Sequence, residues 1–309
     1  MPSFASDVKN ALSRTDEERE CCQTAELAAL LRMGASMVTD GEYGLGLRFA
    51  ADNAAVARRV IRLLHTMDGA IETSVAMERR PQLRRRTYIV NIAAGESVTP
   101  LLTRLGFLDG GALRAGTDML LLRKKCCRAA YLRGAFLSGG SVNRPEASCH
   151  LEITAKSAPM GRALHTLLRR LHFPVGLTDR RDTYVVYLKE GDAVMDFLSL
   201  IGAEEAAEEI EVARNLKEVR AQVNRLVNVE TANLQRAVDA AAEQRAAIER
   251  LAAAGMLAAL PEDLRETAEM RRLHPEASMA ELAALCHISK SGMSHRLRKI
   301  RAMAEEVSI

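Results

Sequence analysis

Apolar residues recur at helical spacing in two matching stretches of this chain, and a β-rich run follows each of them. The apolar positions of the two helices are Val60, Leu63, Leu64 and Met67, and Leu164, Leu167, Leu168 and Leu171. The runs that follow, residues 88–92 and 184–188, are dominated by Tyr, Val and Ile, which favour strands. This alternation predicts an α+β fold for the first two thirds of the chain.

The whole succession of elements occurs twice, offset by 105 residues. The dipeptide Cys21-Cys22 aligns with Cys126-Cys127, and residues 27–37 align with residues 132–142. Both blocks begin as an apolar helix rich in small residues and end at a turn of Gly and Ser. The order predicted for each copy is helix, two strands, helix, two strands, helix.

The two copies together predict one pseudo-symmetric domain over residues 1–205, with repeats at about 20–108 and 125–203. Small side chains on the leading helix of each copy permit two backbones to approach closely. We therefore expect the two helices to cross at the centre of the domain, through Ala28, Ala29, Gly134 and Ala135.

Residues 206–260 differ in character and predict a helical linker, because they are rich in Ala, Glu, Arg and Gln. Three Asn and one Thr interrupt the pattern between Asn224 and Leu234. One interpretation is a helix break with capping side chains, which Asn and Thr suit. The other is a polar surface that touches DNA phosphates, formed by Asn224, Arg225, Asn228, Thr231 and Asn233.

Residues 261–309 predict a helix-turn-helix domain. Ser278 followed by Glu281 is a capping box, which marks the start of the first helix of the motif. His287 occupies the turn, where a left-handed backbone is common, and Ser289 suits the N-cap of the second helix. Apolar residues spaced by four and three give that helix a buried face, which consists of Met293, Leu297 and Ile300.

The opposite face of this second helix is basic. Five basic residues and no acidic one lie between Leu282 and Ala304. A basic helix of this kind enters the DNA major groove, with its early residues at base edges and its later cations at phosphates. The residues predicted to contact DNA are Ser289, Lys290, Ser291, Ser294, His295, Arg296, Arg298, Lys299 and Arg301.

Composition narrows the class of protein further. A formal net charge of only +3 argues against a protein that binds polyanions over its whole surface. We expect no membrane span, since the sequence lacks a run of about 18 apolar residues, and the polar start of the chain is unlike a signal peptide. These features predict a cytoplasmic protein without a cofactor, and the predicted DNA contacts add an association with the nucleoid.

The six cysteines form no C-x-x-C pair, and we expect reduced thiols that pack as small hydrophobic groups. The paired dipeptides Cys21-Cys22 and Cys126-Cys127 occupy equivalent helix starts, so the fold could bring all four together. A zinc or redox site would then follow. Adjacent cysteines are awkward joint ligands for tetrahedral zinc, and the sequence therefore favours packing and no metal.

The first half resembles the LAGLIDADG homing-endonuclease fold in its two-motif monomeric form, chiefly through residues 131–142. In that family each motif ends with an acidic residue that binds a divalent metal ion. The matching positions here are Gly34 and Gly139, which offer no oxygen ligand. Asp40 and Glu42 could form a shifted site, but the second copy offers only Glu146. We therefore expect the fold without nuclease activity.

The full order of elements is similar to that of the WhiA family, most specifically over residues 228–234 and 289–300. The resemblance implies a transcription regulator acting in sporulation, or in cell division and chromosome segregation. It implies a C-terminal domain similar to the promoter-reading region 4 of sigma factors. It also implies partners: double-stranded promoter DNA, and through the first domain a WhiB-like protein, a sigma factor or RNA polymerase.

Two other classes of function remain open from the sequence. One is a metal-dependent DNA endonuclease, against which Gly34 and Gly139 argue. The other is a structural chromosome-associated protein that binds DNA with little sequence preference. The basic run of Arg79, Arg80 and residues 84–86 would suit DNA along the first domain, although a solvated β-hairpin is the preferred interpretation.

Overall fold

Two copies of one pattern of helices and strands build the first part of the chain. We describe them from a computed structural model, which describes residues 3–16, 19–40, 44–80, 85–114, 116–181 and 183–307. The first copy consists of α2 (Glu20–Gly34), β1 (Ala35–Asp40), β2 (Gly44–Ala51), α3 (Ala54–Met67), β3 (Thr73–Arg80), β4 (Arg85–Ile92) and α4 (Val98–Arg104).

The second copy follows a small ribbon of β5 (Leu108–Asp109) and β6 (Ala112–Leu113) and a 3-10 turn, Met119–Leu122. It consists of α5 (Lys125–Gly139), β7 (Gly140–Val142), β8 (Leu151–Ala155), α6 (Ala158–Arg170), β9 (Gly176–Arg180), β10 (Thr183–Leu188) and α7 (Gly191–Ile201). Helices α2 and α5 have equal lengths and start 105 residues apart, which is the offset of the repeat in the sequence. The predicted α+β class is confirmed.

Each copy contains a four-stranded antiparallel sheet with the same strand order. The orders are β1-β2-β4-β3 and β7-β8-β10-β9. In the first sheet Phe49 lies opposite Ala35 and Val90, and in the second Ile153 lies opposite Gly140 and Val186. The short strands β1 and β7 continue directly from the helices before them, which fixes the ends of α2 and α5 against the sheets.

The leading helices α2 and α5 form the centre of this part of the chain. Both are apolar on nearly all sides, as expected of helices that are surrounded by protein. They cross where Gly134 meets the backbone of the other helix: a Cβ on Gly134 would lie 2.3 Å from the carbonyl oxygen of Glu26 and 3.0 Å from Cβ of Ala29. The predicted close approach through small residues is confirmed.

An additional helix, α1 (Phe4–Arg14), precedes the first copy and was not evident from the hydrophobic pattern. It buries Val8 and Leu12 in the same core as the two repeats. Strands β3 and β4 form the expected antiparallel hairpin, in which Arg79 pairs with Arg86 and both side chains are exposed. Arg84 lies outside the described residues.

The chain divides into two compact units, Met1–Lys217 and Glu218–Ile309. A long helix, α8, spans Glu204–Ala253 without interruption. The interpretation of residues 224–234 as a helix break is therefore wrong. Good helix formers on both sides outweigh the weak preferences of Asn and Thr, which differ from those of Ala by less than about 1 kcal/mol per residue.

The second unit closes with a 3-10 turn (Leu257–Ala259) and the helices α9 (Glu262–Leu273), α10 (Met279–Leu285) and α11 (Lys290–Glu306). Its core takes Ala247, Ile248 and Leu251 from the end of α8. The three short helices contribute Leu264, Ala268, Leu282, Ala283, Met293, Leu297, Ile300 and Ala304. Within the described residues, no helix has the length and apolar character needed to cross a membrane.

Candidate nucleic-acid interface

Helix α10 begins with a complete capping box. The hydroxyl oxygen of Ser278 accepts the backbone N–H of Glu281 at 3.3 Å, and the Glu281 carboxylate accepts the backbone N–H of Ser278 at 2.7 Å. The bond from the Ser278 backbone lowers the pKa of Glu281, because it favours the charged form. The predicted start of the motif is confirmed, and it fixes the entry of the chain into α10.

The turn between α10 and α11 is tight and uses a left-handed residue. His287 has a φ of 51°, and its N–H donates to the Ala284 carbonyl at 3.1 Å. The N–H of Ile288 then donates to the Ala283 carbonyl at 2.9 Å, and the side chain of Ile288 packs against the core. These bonds satisfy carbonyls that α10 would otherwise leave unpaired and aim the chain into the next helix.

Helix α11 begins at the predicted N-cap, since the hydroxyl oxygen of Ser289 accepts the backbone N–H of Gly292 at 3.1 Å. Its buried face consists of Met293, Leu297 and Ile300, as predicted, and continues to Ala304. The burial fixes the rotation of the helix about its own axis. The face opposite this stripe is consequently presented to solvent.

The solvent face carries most of the residues predicted to contact DNA. Exposed side chains include Ser289, Lys290, Ser291, Ser294, His295, Arg298 and Lys299. No described residue forms an ion pair with Lys290, Arg298 or Lys299. Within the described residues, no acidic partner of these three cations therefore competes with a phosphate or a guanine.

The other two predicted contacts, Arg296 and Arg301, are engaged within the unit. Arg296 is partly buried; it lies 3.6 Å from the Asp263 carboxylate and 3.4 Å from that of Glu266, both on α9. Arg301 lies 2.6 Å from Glu243 and 3.5 Å from Glu305. The structure thus separates the predicted cations into three that are unpaired and two that bind carboxylates.

The second predicted set lies on α8, where it forms part of a continuous helix. The side chains of Asn224, Arg225, Asn228, Thr231 and Asn233 are exposed. Exposure leaves their amide, guanidinium and hydroxyl groups available for hydrogen bonds to an external partner.

Arg271 is a residue of this unit whose role the sequence analysis missed. It is 2% exposed, and it donates to the side-chain oxygen of Gln244 at 3.0 and 2.7 Å and to the Ala277 carbonyl at 2.6 Å. Burial lowers its pKa from the ordinary value. The sequence did contain a signal for the burial of Arg271, because this residue continues the helical spacing of Leu264 and Ala268 along the buried stripe. It ties α9 to α8 and to the loop before α10.

In the first unit, the positions that would carry metal-binding acids are closed. A Cβ on Gly34 would lie 2.4 Å from the ring of Phe49, and one on Gly139 would lie 2.4 Å from the Thr154 carbonyl oxygen. Neither helix end therefore has room for a carboxylate side chain. Glu42 lies outside the described residues, and Glu146 is exposed in the loop after β7.

The same helices bring their four cysteines together at the opposite end. The sulfur atoms of Cys21, Cys22, Cys126 and Cys127 all lie within 4.8 Å of one another. Burial raises the pKa of Cys127 to about 11. Burial also opposes ionisation of Cys126, but hydrogen bonds from Cys22 and Cys127 and the charge of Arg19 outweigh it and lower the pKa of that thiol.

The fold and the site define a two-unit protein, with a LAGLIDADG-like first part and a C-terminal helix-turn-helix. Comparisons with known families agree. Residues 20–108 match the WhiA N-terminal LAGLIDADG-like domain, residues 128–220 the WhiA LAGLIDADG-like domain, and residues 223–304 the WhiA C-terminal HTH domain. The chain belongs to the WhiA family.

Individual relatives match over nearly the full length. The chain is 40% identical to the probable cell division protein WhiA of Heliobacterium modesticaldum, covering 99% of this chain and 97% of that protein. It is 42% identical to the protein of the same name from Desulfitobacterium hafniense strain Y51, with coverages of 99% and 96%. The crystal structure of full-length WhiA from Thermatoga maritima shares the fold, with a TM-score of 0.63, 24% identity and 99% of both chains covered.

Proposed function

We propose that this protein is a regulator of cell division that binds double-stranded promoter DNA and reads its sequence through α11. The observation that carries the proposal is the arrangement of this helix. Met293, Leu297 and Ile300 fix one face in the core, and the opposite face presents Lys290 and Arg298, with which no described residue forms an ion pair. Cell division is inferred as the process because the relatives are named as probable cell division proteins. The family resemblance adds sporulation and chromosome segregation as related roles.

Different residues of the site have different roles in this proposal. Lys290, Ser291, Ser294 and His295 stand in the first two turns of α11, where a recognition helix meets base edges. Arg298 can donate two bonds to a guanine, and Lys299 supplies charge to a phosphate. Asn224, Arg225, Asn228, Thr231 and Asn233 are candidates for additional phosphate contacts, since phosphate oxygens accept hydrogen bonds from amide, hydroxyl and guanidinium groups.

We further propose that the first unit has lost nuclease activity. Two-metal cleavage requires carboxylates at the two scissile phosphates. The glycines at the ends of α2 and α5 are packed too tightly for such side chains. The unit would then serve to bind partners, and a WhiB-like protein, a sigma factor or RNA polymerase are the candidates that the resemblance supplies. A nucleoid location would follow from DNA binding.

The test is fluorescence anisotropy of the full chain with DNA enriched from a randomised pool. Wild-type protein is compared with Arg298→Ala and with Arg79→Ala, a matched exposed arginine of the β-hairpin. We expect Arg298→Ala to cost about 1–3 kcal/mol on the enriched DNA and much less on scrambled DNA. Arg79→Ala should leave the affinity unchanged.

Two results would overturn the proposal. Equal affinity for enriched and scrambled DNA would indicate a structural DNA-binding protein instead of a sequence reader. Strand cleavage in the presence of Mg²⁺, lost on substitution of a carboxylate of the first unit such as Glu146, would restore the endonuclease interpretation.

A further inference from the structure

We propose that Cys21, Cys22, Cys126 and Cys127 form a structural zinc site that joins the two repeats. The dipeptides are far apart in sequence, and the crossing of α2 and α5 brings them to one place. Every pair of sulfur atoms among the four lies within 4.8 Å. Four thiolates around one metal ion is the ligand set of closed, structural zinc sites.

The distances fit a tetrahedral ion. A zinc–sulfur bond of about 2.3 Å places the sulfurs of a regular tetrahedron about 3.8 Å apart. Cys126 and Cys127 already have their sulfur atoms 4.0 Å apart, so these neighbours on one helix can span an edge of the tetrahedron. The geometric objection to adjacent cysteines therefore does not hold here. From an edge of 4.8 Å, each sulfur would need to move by about 0.6 Å, which side-chain rotation can supply.

Two helix N-termini and a lysine surround the cluster. The cysteines are the second and third residues of α2 and α5, and neither helix has a side-chain cap at its start. Two positive helix ends thus converge on the cluster, and thiolates are stabilised at such ends. The ammonium of Lys124 lies 4.0 Å from the sulfur of Cys21. This cation opposes the net negative charge that four thiolates and one zinc ion carry.

All four cysteines are free thiols, and every pair of their sulfur atoms lies within 4.8 Å. A disulfide would instead bring two partner sulfurs to about 2.05 Å. Cys22 is fully buried and Cys127 nearly so, whereas Cys21 and Cys126 are partly exposed. The cluster is therefore closed on one side by protein and reachable from the other by an incoming ion.

A zinc ion at this position would hold α2 and α5 together where their N-termini meet. The binding free energy of a structural metal adds to folding stability, since the site does not exist in the unfolded chain. The proposal is independent of DNA recognition by α11, because all four ligands belong to the first unit.

The experiment measures metal in the full-length protein, purified with reductant and without chelator. Elemental analysis by mass spectrometry should find one zinc ion per chain. Cys126→Ser should reduce the zinc content well below one. A matched control, Cys149→Ser with Cys286→Ser, removes the two cysteines outside the cluster and should retain one zinc. Replacement of zinc by Co²⁺ should give the visible absorption and sulfur-to-metal charge transfer of tetrahedral thiolate coordination.

Thiol reactivity supplies a second readout that does not depend on a variant folding. Four cysteines of the native wild-type protein should be protected from alkylation and become reactive after zinc is removed by a chelator. The proposal is overturned if wild-type protein holds no zinc as isolated and takes up none on reconstitution. It is equally overturned if Cys126→Ser folds and keeps a full equivalent of zinc, if iron replaces zinc, or if the four thiols form disulfides under these conditions.

Discussion

Arg133 of the second repeat binds Glu26 of the first repeat inside the core. Its Nε donates to Oε2 of Glu26 at 2.9 Å, and its Nη2 lies 2.8 Å from the same oxygen. Arg59 binds the other side of the carboxylate, with Nε 2.7 Å from Oε1. Glu26 is fully buried, and its single carboxylate is shared by the two arginines at the point where α2, α3 and α5 meet.

Replacing Glu26 with Gln should destabilise the first unit by about 3–5 kcal/mol, because two buried guanidinium groups would lose their counter-charge. The chain has no tryptophan, and its five tyrosines lie between residues 43 and 187, so tyrosine fluorescence in urea reports on this unit alone. Glu78→Gln is the control, since Glu78 pairs with Arg48 on the surface and should cost less than about 1 kcal/mol. Equal losses for both variants would contradict a buried role for Glu26.

The crossing of α2 and α5 makes a second prediction. Gly134→Ala places a methyl group 2.3 Å from the carbonyl oxygen of Glu26, so the helices must separate. We expect a loss of about 1–3 kcal/mol in the urea experiment, despite the better helix propensity of Ala. Gly69→Ala is matched, because nothing lies within 4 Å of the added methyl group there. A neutral Gly134→Ala would show that the helices do not approach this closely.

Lys9 makes the stability of the first unit depend on pH. Burial lowers its pKa from 10.5 to about 8, against the attraction of Asp52. Below pH 8, Lys9 is protonated in both the folded and the unfolded state, so folding carries the full free-energy cost of burying its charge. Between pH 8 and 10.5 the unfolded state binds more protons, and stability from this group rises with pH.

Lys9→Met should therefore stabilise the first unit most at pH 7, by about 1–3 kcal/mol. The gain should shrink as the pH rises through the window from 8 to 10.5. Urea unfolding of both proteins at several pH values gives the difference directly, and the subtraction removes other titrating groups such as Tyr131. A difference that stays constant with pH would exclude titration of Lys9 as its source.

Much of this fold could be predicted because its strongest signals are periodic. The 105-residue repeat, the capping box at Ser278 and the apolar stripe of α11 each combine several residues that favour the same structure. Helix α1 was missed because it is short and buries few large apolar side chains, chiefly Val8 and Leu12. A pattern of two residues does not distinguish a docked helix from a loop.

The buried polar groups could not be predicted for a different reason. Glu26 and Arg133 each sit in an apolar helix, where a single charged residue usually marks the solvent side. Only the crossing of α2 and α5 places one opposite the other. The cysteine cluster depends on the same crossing, so the sequence left packing and metal binding open. The ion pairs of Arg296 likewise depend on how α9 lies beside α11.

Those ion pairs predict different effects for two arginines that lie two residues apart. Arg296→Ala breaks contacts with Asp263 and Glu266 and should lower the stability of the second unit by up to about 1 kcal/mol. Under conditions where both variants are folded, it should weaken DNA binding less than Arg298→Ala, which breaks no ion pair with any described residue. Circular dichroism and anisotropy on the same samples separate stability from affinity. An equal loss of affinity would show that Arg296 leaves α9 to reach DNA.

His287 makes a prediction about the turn of the helix-turn-helix. Its left-handed backbone, with a φ of 51°, costs free energy for a residue with a Cβ and little for Gly. His287→Gly should therefore stabilise the second unit by about 0.5–1 kcal/mol in thermal unfolding followed by circular dichroism. His295→Gly is the matched control, because the same substitution on the exposed face of α11 should cost about 0.3–0.5 kcal/mol of helix propensity. If both variants lose stability, the residue at the turn does not adopt the left-handed conformation in solution, and the path of the chain into α11 must differ.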